Sequence, residues 1–302
     1  MKHQRRSGFT LFQLLIVLAL LLILFALLLP AVAKARLAAA RAQSQNNLKQ
    51  IALAVHSYHD VNGHMPSGND ANNFSAAAYL LPYIEQTNLF KRIDFKKSVD
   101  DKDNAAARKV IVKTFLNPRD NVTSVSADFG ATNYLVSAGS LPALADNNGI
   151  FYQNSKVKFP DIQDGTSNTM MTGETLKGDS GVKATTVKRQ HVLLKKDDLK
   201  GIKDEAGVKD WADNKNIVAD RCASWMDGRF LQGTFTATRT LNDEKPDVNC
   251  AGVGGLSGLR GEEDIVNIGM ADGSVRAVTT KISLETWKFL ADKADGNVLP
   301  NF

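Results

Sequence analysis

Residues 7–33 read SGFTLFQLLIVLALLLILFALLLPAVA, and none of their side chains is charged. A helix needs about 20 consecutive apolar residues to cross a bilayer core of about 30 Å. This run has that length, and the short basic stretch MKHQRR precedes it. Three readings compete: a cleaved secretory signal, a plain signal anchor, and an anchor whose leader is removed before the apolar segment. A cleaved signal has an apolar region of about 7–15 residues that ends at a small-residue cleavage site. The run here is longer, and the chain after it stays helix-prone.

Alanine is frequent between residues 31 and 59, where neither Gly nor Pro occurs. Leu48, Ile51, Val55 and Tyr58 recur at a spacing of three to four and mark one apolar stripe. Lys34, Arg41, Gln45 and Lys49 lie on another, polar face. Gly63 and Pro66 then stop the helix. A helix over 9–58 would measure roughly 75 Å, its first half in lipid and its second packed on the body. Pro30 falls inside the apolar run and is expected to kink it.

The formal charge of +5 is unevenly placed. No Asp or Glu occurs before Asp60, while Lys2, Arg5, Arg6, Lys34, Arg36, Arg41 and Lys49 do. Of 37 basic residues, 30 remain beyond that point against 32 acidic ones. The body is therefore near neutral and lacks the broad basic surface that nucleic-acid binding requires. Charge does not set membrane orientation, because basic residues stand on both sides of the span.

A helical stretch over 75–91, broken by Pro82, follows the stem. From about residue 110 short apolar runs alternate with turn residues. The expected strands are 133–137, 150–152, 169–172, 230–236, 265–270 and 275–279. Asp272-Gly273 between the last two is a hairpin signal. Ser283 caps a last helix with Leu284, Trp287, Phe289 and Leu290 as its apolar members. The Lys-, Asp- and Gly-rich segment over about 177–216 reads as an exposed polar insertion.

Few residues suggest chemistry. Cys222 and Cys250 are a candidate disulfide; two buried free thiols are the other reading. His56, His59, Asp60 and His64 cluster at the stem end and could share a transition metal, or simply form a solvated helix end. Asp161, Asp164 and Asp272 sit in or beside turns, where they either donate oxygen ligands to Ca2+ or serve turn geometry. The acidic run Glu262, Glu263, Asp264 reads as a solvated loop. Trp211, Trp225 and Trp287 read as core rather than ligand surface. His191 has no GxSxG or comparable partner motif, so an enzyme is not expected.

The string RRSGFTLFQLL at 5–15 resembles the prepilin N-terminus of type IV pilins and type II secretion pseudopilins. Five further strings resemble a bacterial pilin-like family of undefined biochemical role, with a C-terminal domain named for an H-x9-D-G motif. They are NNLKQIALAVHSYHDVNGHMP at 46–66, LLPYIEQTNLF at 80–90, TNYLVSAG at 132–139, DIQDGTSNTMMTGE at 161–174 and MADGSVRAV at 270–278. Asp272 and Gly273 match the D-G, but Glu262 stands where the histidine belongs.

The resemblance implies an α+β, type IV pilin-like fold: a long N-terminal transmembrane and stem helix packed on an antiparallel β-rich head. Its parts would be a leader at 1–8, a transmembrane helix at 9–33, an extracytoplasmic half-stem at 34–60 and a head at 61–302. It implies that a prepilin peptidase and N-methyltransferase cuts after Gly8 and methylates Phe9. Pro30 stands where pilin stems commonly carry a proline. Gln13 stands where the family has a Glu that pairs with the new amino terminus of a neighbouring subunit. The implied partners are that peptidase, other pilin-like stems and the cytoplasmic membrane, with the N-terminus cytoplasmic and the head outside. No cofactor follows from it except the Ca2+ that major pseudopilins often hold in a C-terminal loop. The alternative is a stem-anchored cell-surface binding protein that never polymerises.

Overall fold

The computed structural model describes residues 11–179, 187–202 and 216–300. Gly8, Phe9 and Trp211 lie outside these residues. The chain divides into two compact units, residues up to Ala42 and residues from Gln43 onward. One helix, α1 (Leu11–Asn62), contributes to both. Pro30 lies within α1, and the helix continues past it. Its C-terminus is set by Gly63, whose φ of 75° is open to glycine at little cost. The Gly63 amide donates to the His59 carbonyl at 2.7 Å and closes the last turn.

Within the second unit, α1 buries Ser44, Asn47, Leu48, Ile51, Ala52, Ala54 and Val55. The spacing follows one helical face, as the stripe predicts. Short helices α2 (Ala76–Leu80), α3 (Thr87–Phe90) and α4 (Ala105–Arg108) follow. Ser75 caps α2 by accepting from the Ala78 amide. Pro82 sits in a 3-10 turn, Leu81–Ile84, that separates α2 from α3. Proline lacks the amide that would continue an α-helix there.

The strands are β1 (Tyr134–Gly139), β2 (Met170–Glu174), β3 (His191–Leu194), β4 (Ile217–Val218), β5 (Thr234–Thr236), β6 (Asp247–Cys250), β7 (Gly255–Leu256), β8 (Ile265–Met270) and β9 (Val275–Thr279). A five-stranded sheet has the order β5-β1-β2-β8-β9, and a four-stranded sheet the order β4-β3-β6-β7. Both are mixed and not antiparallel throughout. β1 runs parallel to β5 and β3 parallel to β6. Parallel neighbours need long crossovers, and both pairs are far apart in the chain. The β8–β9 hairpin turns at Asp272-Gly273 with Gly273 at a φ of 83°, as its sequence predicts.

The five-stranded sheet separates two cores. Tyr134, Val136 and Met171 join the cluster built on Leu48, Ile51, Val55 and Phe115. Leu135, Met170, Val266 and Ile268 join the cluster with Trp287 and Leu290 of α5 (Leu284–Ala291). Adjacent residues of one strand thus serve opposite faces, the period of two expected of a sheet. Ser283 caps α5 as expected, while Phe289 is only half-buried. Residues 150–152 form no strand; Ile150 and Phe151 are buried, and the Phe151 amide donates to the Ser137 carbonyl at 3.0 Å.

The polar segment over about 177–216 is not simply an exposed insertion. Its β3 lies inside the second sheet, and Lys177, Arg189, His191, Val192 and Ile202 are buried.

Candidate functional site

Residues 11–33 of α1 present one largely apolar surface. Large side chains such as Leu14, Leu20, Ile23, Phe25 and Leu29 are exposed, and α1 carries no charge until Lys34. Among the described residues, α1 is the one helix long and apolar enough to cross a membrane. Gln13 is the polar side chain near its start.

In the head, three of the quoted strings meet at one seam. His56 Nε2 lies 2.9 Å from the Ala271 carbonyl oxygen. The Ala271 and Asp272 amides donate to the carbonyls of Thr169 and Thr166 at 2.8 and 2.9 Å. A second seam gathers around the buried Glu174 carboxylate. It accepts from Ser44 Oγ, from Asn117 Nδ2 (3.1 Å), and from the amide and Nδ2 of Asn267 (both 2.9 Å). Asn47 Nδ2 reaches the Tyr134 hydroxyl at 3.3 Å beside it. These strings therefore fasten the second half of α1 to the sheet.

Each Ca2+ candidate accepts from backbone amides. Asp161 accepts from the Lys158 amide (2.8 Å), and Asp272 from the Ser274 amide (2.8 Å). Asp164 accepts from the Asp295 and Gly296 amides, each at 2.8 Å. Of the stem-end histidines, His56 and His59 both pack on the Phe159 ring (4.9 and 4.4 Å), and His64 Nδ1 lies 2.8 Å from the Met65 carbonyl oxygen. No group of three or more potential metal-ligating side chains converges among the described residues.

The second sheet rests on buried charge. Asp247 accepts from Arg221 Nη1 (2.8 Å) and Arg260 Nη2 (2.5 Å), and all three side chains are fully buried. Burial opposes ionisation of Asp247, yet Arg260 and Arg221 hold its carboxyl below the usual range. Nearby, Asp120 accepts from Arg189 Nη1 at 3.0 Å. Burial opposes its ionisation too, but Lys177 and Arg189 prevail and its pKa is lowered. In the acidic run, which stays largely exposed, Glu262 accepts from Arg189 Nη2 (2.8 Å) and Glu263 pairs with Arg119 (2.9 Å).

A cleft of about 460 Å3 opens beside this layer. Arg229, held by Asp227 (2.6 Å) and Asp100 (3.1 Å), stands at one wall, and Arg108 lies over the Phe129 ring at 5.2 Å. The buried Ser224 Oγ, on the lining, has no hydrogen-bond partner. Asp220 and Asn249 also line the cleft, and behind them His191 Nε2 lies 3.4 Å from Asp220 and 3.5 Å from Asn249. Burial pushes the His191 imidazole down to about 4, so it is neutral at pH 7. Paired charges beside an aromatic ring suit a small polar solute. Nothing in the sequence marked this cleft, because its lining comes from segments far apart in the chain.

The candidate disulfide is not formed. Cys222 and Cys250 are free, buried and in different clusters, one beneath the five-stranded sheet and one with Ile202, Val248 and Leu256. Burial pushes both thiols up to about 11, which leaves them protonated and inert.

No curated protein and no solved structure matches the chain significantly. Residues 33–285 match the family described as "Protein of unknown function (DUF1559)", and the chain belongs to that family.

Proposed function

We propose that this protein is a membrane-anchored, pilin-like structural subunit of a type II secretion or type IV pilus-like assembly. The observation that carries the reading is α1. Its first part is apolar, uncharged and exposed, and the same helix continues into a half that the head buries. A water-exposed surface of that size would drive aggregation unless lipid or other stems cover it. In lipid, stem-to-stem packing and the new amino terminus would organise the assembly. The reading adds removal of residues 1–8 after Gly8 by a prepilin peptidase, methylation of Phe9, a cytoplasmic leader and an extracytoplasmic head. It assigns the head contacts with neighbouring subunits, and neither catalysis nor nucleic-acid binding.

A second reading is a stem-anchored surface binding protein that does not polymerise. The charged cleft in the head favours it, as does Gln13 in the place of the family's Glu. Single cysteines introduced along 14–29 and oxidised in native membranes separate the two. The native thiols are buried, so they give little background. Regular stem-to-stem dimers support the subunit; their absence, with the protein still resistant to alkaline extraction, supports the lone anchor. Full release by alkaline extraction would sink both.

A further inference from the structure

Asp120, Asn133 and Lys177 form a group that the anchoring role does not use. Lys177 is 2 % exposed, and Asn133 and the Asp120 side chain are fully buried. Lys177 Nζ lies 2.9 Å from Asn133 Oδ1 and 3.6 Å from Asp120 Oδ2. Asn133 Nδ2 donates to Asp120 Oδ2 at 2.7 Å and to the Thr175 carbonyl at 2.8 Å. The Asn117 amide donates to Asn133 Oδ1 at 3.0 Å.

From this geometry we infer that Lys177 and Asn133 join in an autocatalytic isopeptide bond, with Asp120 carrying the proton. An amine attacks a carboxamide when four conditions hold: it is neutral, it is held against the carbonyl, the developing oxyanion has a donor, and the leaving nitrogen can be protonated. Asp120 favours the Lys177 cation, but burial outweighs it and lowers the Lys177 pKa, so the neutral amine is more accessible than in an exposed lysine. Packing holds amine and amide together, which converts a slow bimolecular step into an intramolecular one. The Asn117 amide already points at the oxygen that becomes the oxyanion. Arg189, 3.0 Å from Asp120, keeps that carboxylate ionised as a base.

The step balances without oxidant or cofactor. Nζ, which donates an N–H to Oδ1 at rest, turns so that its lone pair faces the carbonyl carbon and forms a bond to Cγ of Asn133. The C=O electron pair moves onto Oδ1. Asp120 takes a proton from Nζ and delivers it to Nδ2. The C=O reforms, the Cγ–Nδ2 bond breaks, and ammonia leaves. One C–N bond forms and one breaks.

The product would tie the residue before β1 to a residue after β2, next to the Tyr134↔Glu174 pair. It would fix the centre of the main sheet to the segment that leads into the second sheet. The chain's cysteines are free, so this would be a covalent tie of another kind.

The test is mass spectrometry of the full chain purified in detergent, intact and after proteolysis. The expected result is a protein lighter than its sequence by one ammonia, with a branched peptide joining the segments that hold Asn133 and Lys177. Asp120→Asn should restore the full mass, and Lys177→Met should remove the branched peptide. A succinimide at an asparagine would also lose ammonia but gives only linear peptides, and that outcome overturns the proposal. So does folded wild-type protein of full mass. The wild-type peptide map decides even if a variant fails to fold.

Discussion

Between Leu11 and Leu29 the large apolar side chains of α1 are exposed and none is charged, whereas in the head Arg221, Arg239, Arg260 and Asp247 are buried. Each region inverts what water alone would select. Exposed apolar surface on this scale is tolerable only in lipid or against other stems. Buried charge is tolerable only where each ion meets a partner with good geometry. The stem therefore depends on what surrounds it, and the head on its own internal pairing. Substitutions should act accordingly: head changes should alter unfolding, and stem changes should alter membrane retention with little effect on the head.

The largest effect is expected from Asp247→Asn. It leaves Arg221 and Arg260 buried without their counter-charge, a loss on the order of 3–5 kcal/mol. Urea unfolding in detergent, followed by the fluorescence of the buried Trp225 and Trp287, measures it. A smaller loss would mean that water reaches the arginines and that the head is less dry than described. Next is Leu48→Ala, on the face of α1 packed within the head, where truncating a fully buried leucine costs roughly 2–5 kcal/mol. The same change at the exposed Leu22 should leave head stability unaltered.

The third effect is a pH dependence. Asp220, Arg221 and Asp247 face His191, and its folded value of about 4 lies below its ordinary 6.5. As pH falls, the unfolded chain takes up the proton first. The contribution of neutral His191 is therefore full above pH 6.5 and is lost towards about pH 4. The loss is on the order of 3 kcal/mol. Unfolding free energies of His191→Gln should lack that slope across the same window. The smallest effect is at Ser283, whose Oγ accepts from the Thr286 amide at 3.1 Å. Ser283→Ala should lower stability by about 1 kcal/mol.

The features legible in the sequence were those set by neighbouring residues. The stem, its stop at Gly63, the Asp272-Gly273 hairpin and the Ser283 cap each follow from a few contiguous positions. The strand β3, with sequence HVLL, was hidden because it lies in a Lys- and Asp-rich segment, and its place in a sheet depends on β6, far along the chain. The parallel pairs were hidden for the same reason. Buried charges are the hardest to anticipate, since Arg221 and Arg260 look like surface residues until Asp247 is placed between them. Asn133 and Glu174 lie in quoted strings, and what they do appears only when Asn117, Lys177 and Asn267 reach them. Of the three turn aspartates, Asp161 and Asp272 accept from amides nearby in the chain, whereas Asp164 reaches the distant Asp295 and Gly296 amides, a tie no local pattern announces.

The most direct test of the anchoring account is the mass and N-terminal sequence of the protein taken from membranes of its native host. The account predicts a chain that begins at Phe9, with a methyl group on its amino terminus. A chain that still begins at Met1 would contradict prepilin-type processing and leave a plain signal anchor carrying the same head.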